Sequence, residues 1–216
     1  MSPLRSPDFL SRSLVSRAET RFVWNQHLLS PLLPTPALHP YLLPVIHGFV
    51  SLARCVVAGT SITWALLSRR STQRVGVRMW ARGGDSKGHV ANYVEMEQVV
   101  EVGGSVASFV QTRGSIPLFW QQRPDLRYKP PPSLEVGMER EQGGCLSSHL
   151  REQLQLYGGQ VLVNLVDQKG AEGRLEARLR QETAGAGLQG VTYVPFDFHA
   201  ECSKMRWEIL SILMDR

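Results

Sequence analysis

The sequence predicts an α/β protein in which an antiparallel meander of strands leads into alternating strands and helices. From residue 45 to residue 113, β-rich runs are separated by glycine-containing turns. After residue 137, segments with helical periodicity alternate with short apolar runs, an order typical of a parallel α/β sheet. This alternation is still in progress at Arg216. We therefore expect a truncated part of a larger domain.

The composition is that of an ordinary globular protein. The chain has 216 residues, of which 43% are hydrophobic and 20% are charged, so a sizeable core is possible and a disordered chain is excluded. Lys and Arg number 24 against 19 Asp and Glu, and most of the cations are arginines. Arginine suits the recognition of phosphate or carboxylate, which leaves nucleic acid, anionic lipid and phosphorylated small molecules as possible partners.

The cysteines and the apolar segments indicate a reducing location and no membrane-spanning helix. Cys55, Cys145 and Cys202 are odd in number and widely spaced, so neither a disulfide framework nor a zinc site is predicted. The most apolar stretch, residues 41–68, is interrupted by Arg54 and by prolines and glycines. Neither half of it reaches the roughly 18 residues that a transmembrane helix needs.

The first 44 residues predict a helix followed by a proline-rich linker. Residues 6–8, Ser-Pro-Asp, form a good helix start, and apolar residues then recur near helical spacing at Phe9, Leu10, Leu14, Ala18 and Phe22. The Ser- and Arg-rich composition also suits an organelle transit peptide, but Asp8 and Glu19 argue against it. Residues 26–44 contain five prolines, so we expect no regular element to run through them and interpret them as a linker or domain boundary.

Two series of elements follow this linker. The predicted strands of the meander are residues 45–59, 61–71, 73–82, 89–102 and 106–113, with a hairpin loop at 83–88. Residues 123–137 form a second linker, because Pro130, Pro131 and Pro132 disfavour helix and sheet. Beyond it, the predicted helices are 147–159, 172–185 and 204–216, and the predicted strands are 160–170 and 190–199.

Arg113 is a candidate anion-binding residue because of the residues that precede and follow it. It lies between the last strand of the meander and a Gly-Ser-Ile-Pro turn, followed at once by Phe119 and Trp120. Gly114 and Pro117 restrict the backbone, and the neighbouring apolar side chains could bury the base of the arginine. Arg113 is therefore either a buried ion-pair partner or a guanidinium directed at an anion.

A second group of arginines has a similar ambiguity. Five arginines lie close together on neighbouring predicted strands: Arg69, Arg70, Arg74, Arg78 and Arg82. The two-residue period of a strand would place Arg74, Arg78 and Arg82 on one face. Such a face either binds an anion or is a solvated surface paired with acids such as Glu95 and Glu97.

Two cysteine motifs are weak candidates for chemistry. Cys145 and Arg151 have the five-residue separation of a cysteine phosphatase loop, but the loop lacks glycine and Glu152 follows where a hydroxyl is usual. We interpret Cys145 as an ordinary thiol near a helix start. His199 and Cys202 form a lone His-x-x-Cys, which provides too few ligands for zinc and is interpreted as a strand-end histidine and a buried thiol.

Several segments together resemble the Sac-domain (suppressor-of-actin) phosphoinositide phosphatases, most closely their integral membrane member of the endoplasmic reticulum and Golgi. The similarity extends over nearly all of the chain from Arg21 onward. The segments that carry it are 21–29 (RFVWNQHLL), 43–50, 68–71, 76–98 (GVRMWARGGDSKGHVANYVEMEQ), 108–130 (SFVQTRGSIPLFWQQRPDLRYKP), 157–170 and 196–207 (FDFHAECSKMRW).

The resemblance implies half of a Sac catalytic domain, present as a fragment or short isoform. Residues 1–44 would be the remnant of the N-terminal subdomain, and residues 45–216 the N-terminal part of the catalytic domain. The implied reaction is hydrolysis of phosphatidylinositol monophosphates, such as the 4-phosphate and 3-phosphate, through a phosphocysteine without metal or cofactor. The family's catalytic loop follows the region matching 196–207 and is absent here, so no catalytic residue and no activity of the chain alone are predicted.

The resemblance also implies partners and a location. We expect phosphoinositide headgroups or an anionic membrane surface as the partner, no nucleic acid, and Arg78, Arg82 and Arg113 as the candidate anion-binding residues. The expected location is the cytosolic face of endoplasmic reticulum and Golgi membranes. The alternative function is a non-catalytic module that binds phosphoinositides or proteins.

Overall fold

The structure is a computed structural model that describes residues 8–75, 82–123 and 130–214. The chain divides into two compact units. The first comprises Met1–Gln73 and Tyr93–Arg113, and the second comprises Arg74–Asn92 and Gly114–Arg216. The predicted α/β class is confirmed: the first unit contains an antiparallel sheet, and the second contains parallel strands with helices.

The sheet of the first unit is a consecutive antiparallel meander. Its strands are β1 (Gly48–Val57), β2 (Thr60–Arg70), β3 (Val94–Val102) and β4 (Ser105–Arg113), in the order β1-β2-β3-β4. Two-residue turns with positive φ at both positions join β1 to β2 and β3 to β4, as the twist of a hairpin requires. Four of the five predicted runs therefore form strands.

The remaining predicted run, residues 73–82, lies largely outside the described residues. Its described start does not have strand geometry, because Arg74 has a φ of 46° and lies in a turn. The loop that follows is a hairpin as predicted, closed by an isolated antiparallel bridge between Gly84 and Val90. Within it, the amide of Asp85 donates to the carbonyl of His89 over 3.0 Å.

The predicted N-terminal helix of residues 6–22 is wrong in extent. Among residues 8–22, the structure has only α1 (Leu14–Arg17) and a 3₁₀ turn at Thr20–Phe22. The carbonyl of Arg21 accepts hydrogen bonds from the amide and hydroxyl of Thr72, at 2.8 and 3.0 Å. A contact between residues so distant in sequence holds this stretch in a conformation that local periodicity does not reveal.

The proline-rich stretch is folded rather than open. It forms α2 (Gln26–Leu29) and a 3₁₀ helix at Pro36–Tyr41, so the expectation that no regular element occurs here is wrong. Leu29 and Leu42 pack with Val23 in a small buried cluster of the first unit. The division of the family's domains at residue 44 stays a prediction.

The second unit contains the predicted alternation of strands and helices. A small hairpin of β5 (Trp120–Gln121) and β6 (Ser133–Leu134) precedes α3 (Gln142–Tyr157), β7 (Gln160–Asn164), α4 (Gly170–Ala186) and β8 (Val191–Pro195). Strands β7 and β8 pair in parallel, and Gly158 ends α3 as predicted. The core of this unit consists of Leu118, Trp120, Leu146, Leu150, Leu175 and Leu179.

The predicted C-terminal helix of residues 204–216 is broken. The structure has α5 (Phe198–Glu201), 3₁₀ turns at Ser203–Met205 and Trp207–Ile209, and α6 (Leu210–Met214). Lys204 and Met205 have φ values of 59° and 60°, which a continuous right-handed helix does not allow. In the described part of the chain, no helix is long and apolar enough to cross a membrane.

Candidate functional site

Arg113 is the last residue of β4 and is exposed. Its register partner is Val94 on β3, and the described residues provide no ion-pair partner for it. Of the two alternatives predicted for Arg113, the buried ion pair is therefore wrong. The accessible guanidinium is free to meet a ligand from solution, and anion binding by it stays a prediction.

The apolar residues after Arg113 belong to a core rather than to a support for its side chain. Leu118 is 0% exposed, and Phe119 and Trp120 are buried as well. The side chain of Gln142 accepts from the amide of Phe119 over 2.7 Å and donates to its carbonyl over 3.1 Å. This pair of buried hydrogen bonds holds the segment against α3 and satisfies two main-chain groups that would otherwise be buried unpaired.

The same segment fixes the hairpin loop that begins near Arg82. The amide of Gly83 donates to Ser115 Oγ over 2.7 Å, the amide of Ser115 donates to the carbonyl of Ala91 over 2.9 Å, and the amide of Ala91 donates back to the carbonyl of Gly83 over 3.0 Å. A closed set of short hydrogen bonds thus joins the start of the loop, its end and the turn after Arg113. The main chain next to Arg82 is held in place by this set.

Arg82 is exposed at the start of this loop. Its Nε donates to Gln122 Oε1 over 2.7 Å, and its carbonyl accepts from Arg74 over 3.2 Å. Arg74 is therefore engaged with the main chain of this loop. The two-residue period had predicted it on the face of a strand, and for Arg74 that prediction is wrong. Arg78 lies outside the described residues. Arg113 is part of the first unit, whereas Arg82 is part of the second.

Arg69 of the arginine group forms a structural ion pair. Its Nε donates to Glu95 over 3.0 Å, and the Glu95 residue is only 3% exposed. Its Nη2 lies 3.5 Å from Glu19, and its Cζ lies 4.3 Å from the centre of the buried Phe22 ring. The carboxylate of Glu95 is also 3.7 Å from Arg21. For Arg69, pairing with an acid is thus confirmed, and the pair fixes one end of the sheet.

Cys145 is not a nucleophile in this structure. The residue is 1% exposed in the first turn of α3, and its sulfur lies where a side chain on Gly84 would be. Burial raises the pKa of the Cys145 thiol to about 12, with a smaller contribution from the charge of Asp85. A thiol of this pKa stays protonated at neutral pH, which agrees with the interpretation of Cys145 as an ordinary thiol near a helix start.

His199 differs from its predicted environment. It lies in α5, after the end of β8, and its Nδ1 is 2.6 Å from Asp167 Oδ1. Asp167 was not singled out from the sequence, although it follows β7 just as His199 follows β8. Because parallel strands end at the same edge of a sheet, the contact between Asp167 and His199 could have been predicted. In the described ranges, no group of three or more His, Cys, Asp or Glu residues is arranged to hold a metal ion.

Comparison with known proteins identifies the class. Residues 5–203 match the model of the SacI homology domain, which covers most of the chain. The chain belongs to the Sac-domain family of phosphoinositide phosphatases, as the sequence motifs had predicted.

Individual relatives show how much of such a protein is present. The chain is 47% identical over 210 residues to phosphatidylinositol-3-phosphatase SAC1-B of Danio rerio, covering 97% of this chain and 36% of the relative. It is 48% identical over 203 residues to phosphatidylinositol-3-phosphatase SAC1 of Drosophila melanogaster, covering 94% and 34%. It is also 39% identical to phosphoinositide phosphatase SAC7 of Arabidopsis thaliana, over 95% of this chain and 34% of that protein. The chain thus spans about a third of the length of these curated relatives.

Proposed function

We propose that this chain supplies the phosphoinositide-recognising part of a lipid phosphatase that hydrolyses phosphatidylinositol monophosphates. The proposal is supported by the match to the SacI homology domain and by relatives named as phosphatidylinositol-3-phosphatases. The 4-phosphate and 3-phosphate are the substrates we expect. The proposed location is the cytosolic face of endoplasmic reticulum and Golgi membranes, with residues 45–216 as the first part of the catalytic domain.

These 216 residues are inactive by themselves in this proposal. The single observation that carries this is Cys145, whose separation from Arg151 matches a phosphatase loop but whose thiol is buried and protonated. Glycines that would let successive main-chain amides face one phosphate are absent between the two residues. The family's Asp-Cys-Leu-Asp-Arg-Thr loop does not occur in the sequence.

Phosphate release from a monophosphorylated phosphatidylinositol tests this proposal. The purified chain and its Cys145→Ser variant should both release no more phosphate than buffer, because neither presents a reactive thiolate. Turnover by the chain that disappears in the variant would contradict the proposal and make Cys145 the nucleophile.

A non-catalytic module that binds anionic lipid is the second candidate, and the exposure of Arg82 and Arg113 favours it. The chain should sediment with vesicles containing a phosphatidylinositol monophosphate at low salt and less at high salt, since exposed charges are screened. Arg82→Glu and Arg113→Glu, with Arg78→Glu, should reduce sedimentation by roughly three- to fivefold per charge, on the scale of about 1 kcal/mol per surface cation.

Matched controls distinguish specific arginines from overall charge. Arg12 and Arg151 are exposed arginines of the first and second unit, and their reversal changes the net charge by the same amount. Arg12→Glu and Arg151→Glu should reduce sedimentation less than Arg113→Glu and Arg82→Glu. Equal losses in all four variants would show that only net charge matters and would remove a specific role for either Arg82 or Arg113.

A further inference from the structure

A second set of polar residues lies at the carboxyl edge of the parallel strands. Strands β7 and β8 pair in register from Gln160 with Val191 to Asn164 with Pro195, so the chain leaves both strands at the same edge. In open α/β sheets, ligands bind at this edge, beside the loops that follow the strands. The two connections that follow these strands are residues 165–169 and residues 196–199, the second of which includes the first two residues of α5; they are called the carboxyl-edge loops.

Hydrogen bonds hold the carboxyl-edge loops together. The carboxylate of Asp197 accepts from the amide of Gln168, across the two loops, and from the amide of Ala200, each over 3.0 Å. These two bonds lower the pKa of Asp197, with smaller contributions from the nearby charges of His199 and Lys169. The carboxylate of Asp197 is therefore ionised and accepts a hydrogen bond across the two loops, so it fixes their separation.

Asp167 and His199 form a dyad between these loops. Because a carboxylate can only accept, His199 Nδ1 donates to Asp167 Oδ1 over 2.6 Å. The amide of Asp167 in turn donates to Glu172 in the first turn of α4, over 3.1 Å. The side chain of His199 is 68% exposed, so the ring is accessible while Asp167 sets its orientation. Its second nitrogen, Nε2, is available to a ligand from solution.

We propose that the Asp167–His199 dyad and Lys169 bind a phosphate monoester at the carboxyl edge of β7 and β8. The exposed ring of His199 offers Nε2 for a hydrogen bond with the phosphate monoester, and the ammonium of the exposed Lys169 supplies a positive charge. Three carboxylates at this edge are engaged within the protein: Asp167 with His199, Asp197 with two main-chain amides, and Glu172 with the amide of Asp167. The exposed Lys169 is the cation that meets the ligand. The choice of ligand rests on the proposed function, in which the phosphate belongs to an inositol headgroup.

Protection of His199 from chemical modification tests this site. Diethylpyrocarbonate modifies accessible imidazoles, and mass spectrometry of the whole chain at low concentration measures the rate at each histidine separately. At about pH 6, with inositol 1-phosphate at ten times its dissociation constant, modification of His199 should slow about tenfold. The exposed His27 of the first unit is the internal control and should not change.

Two variants and a second ligand complete the experiment. Lys169→Gln and Asp167→Asn should each weaken protection by roughly three- to tenfold while leaving the rate at His27 unchanged. Inorganic phosphate that protects as well as inositol 1-phosphate shows recognition of the phosphate group, and protection by inositol 1-phosphate alone shows recognition of the headgroup. Equal rates at His199 with and without both ligands would overturn the site.

This outcome is independent of the vesicle experiment. The sedimentation test concerns Arg78, Arg82 and Arg113, whereas the protection test uses soluble ligands and residues of the carboxyl-edge loops. Loss of sedimentation with intact protection would contradict the lipid-binding arginines alone. Loss of protection with intact sedimentation would contradict the dyad alone.

Discussion

Strand β1 and the segment of residues 117–120 show two fates of an apolar run. Every residue of β1 is exposed, and Leu52 in its middle is 72% exposed. Every residue of 117–120 is buried, and Leu118 is 0% exposed. The strand is formed by a two-residue turn and a neighbouring strand, whereas the burial of 117–120 needs α3 from later in the sequence. In this chain, a strand can therefore be fully hydrogen-bonded to its neighbour without its side chains being buried.

The difference has consequences for where the free energy of unfolding is concentrated. Apolar area removed from water contributes about 25 cal/mol per Å², and β1 removes little of it. The exposed edge of β1 can also pair with another chain, and we expect the isolated chain to aggregate. The region around Leu118 combines buried leucines with satisfied main-chain groups, so substitutions there should have the largest effects.

The strongest test of the comparison is a pair of leucine substitutions. Leu118→Ala should lower the free energy of unfolding by about 2–5 kcal/mol, because it removes buried methyl groups and leaves a cavity. Leu52→Ala should change it by no more than about 0.5 kcal/mol, since that side chain is already in water. Urea unfolding followed by circular dichroism measures both. Similar losses in the two variants would mean that the face of β1 is covered in solution, for example by self-association.

A second test uses pH and His149 on α3. Burial lowers the pKa of His149 to about 4, below its ordinary value of 6.5, while the hydrogen bond from Nδ1 to the carbonyl of Gly88 opposes the shift. Between these two values the unfolded chain binds a proton that the folded chain does not. Stability should therefore fall as pH falls through this window, by on the order of 3 kcal/mol from this group across the whole window.

Variants at histidines of the two units separate this effect from the titration of carboxylates. His149→Gln should make unfolding less dependent on pH between about pH 6.5 and pH 4, because the group that titrates has been removed. His27→Gln, on an exposed residue, should leave the pH dependence as it is in the parent chain. A parent-like slope in His149→Gln would show that His149 is protonated while the chain is folded.

The elements that could be predicted from the sequence are those that depend on neighbours in the chain. Glycine-containing turns between β-rich runs predicted the meander, and helical periodicity with Gly158 predicted α3 and its end. The failures depend on distant contacts. The N-terminal α-helix ends at Arg17, before the stretch in which the carbonyl of Arg21 accepts hydrogen bonds from Thr72. Lys204 has a positive φ, which glycine would have indicated in the sequence but lysine does not.

The candidate site follows the same division. Arg113 could be selected from its position after a strand and before a rigid turn, but Phe119 and Trp120, which were expected to bury its base, pack against α3. The contact between Asp167 and His199 joins residues that are 32 positions apart. Their proximity follows from the parallel pairing of two strands, so a correct topology, rather than a motif, is needed to find it.

The smallest expected effect is on reactivity rather than stability, and it concerns the cysteines of the two regions. Cys55 is exposed on β1, whereas Cys145 and Cys202 are buried. At about pH 8, a thiol with a pKa of about 12 is ionised in only about one molecule in ten thousand, and it also lacks access to reagent. Titration with a thiol-specific chromogenic reagent should therefore show one rapidly reacting group, with the other two reacting only after denaturation.

Cys55→Ser should abolish the rapid phase without changing the free energy of unfolding by more than about 0.5 kcal/mol. A rapid phase that persists in Cys55→Ser and disappears in Cys145→Ser would show that α3 opens readily beside Gly84, and the buried region would then be no more closed than β1.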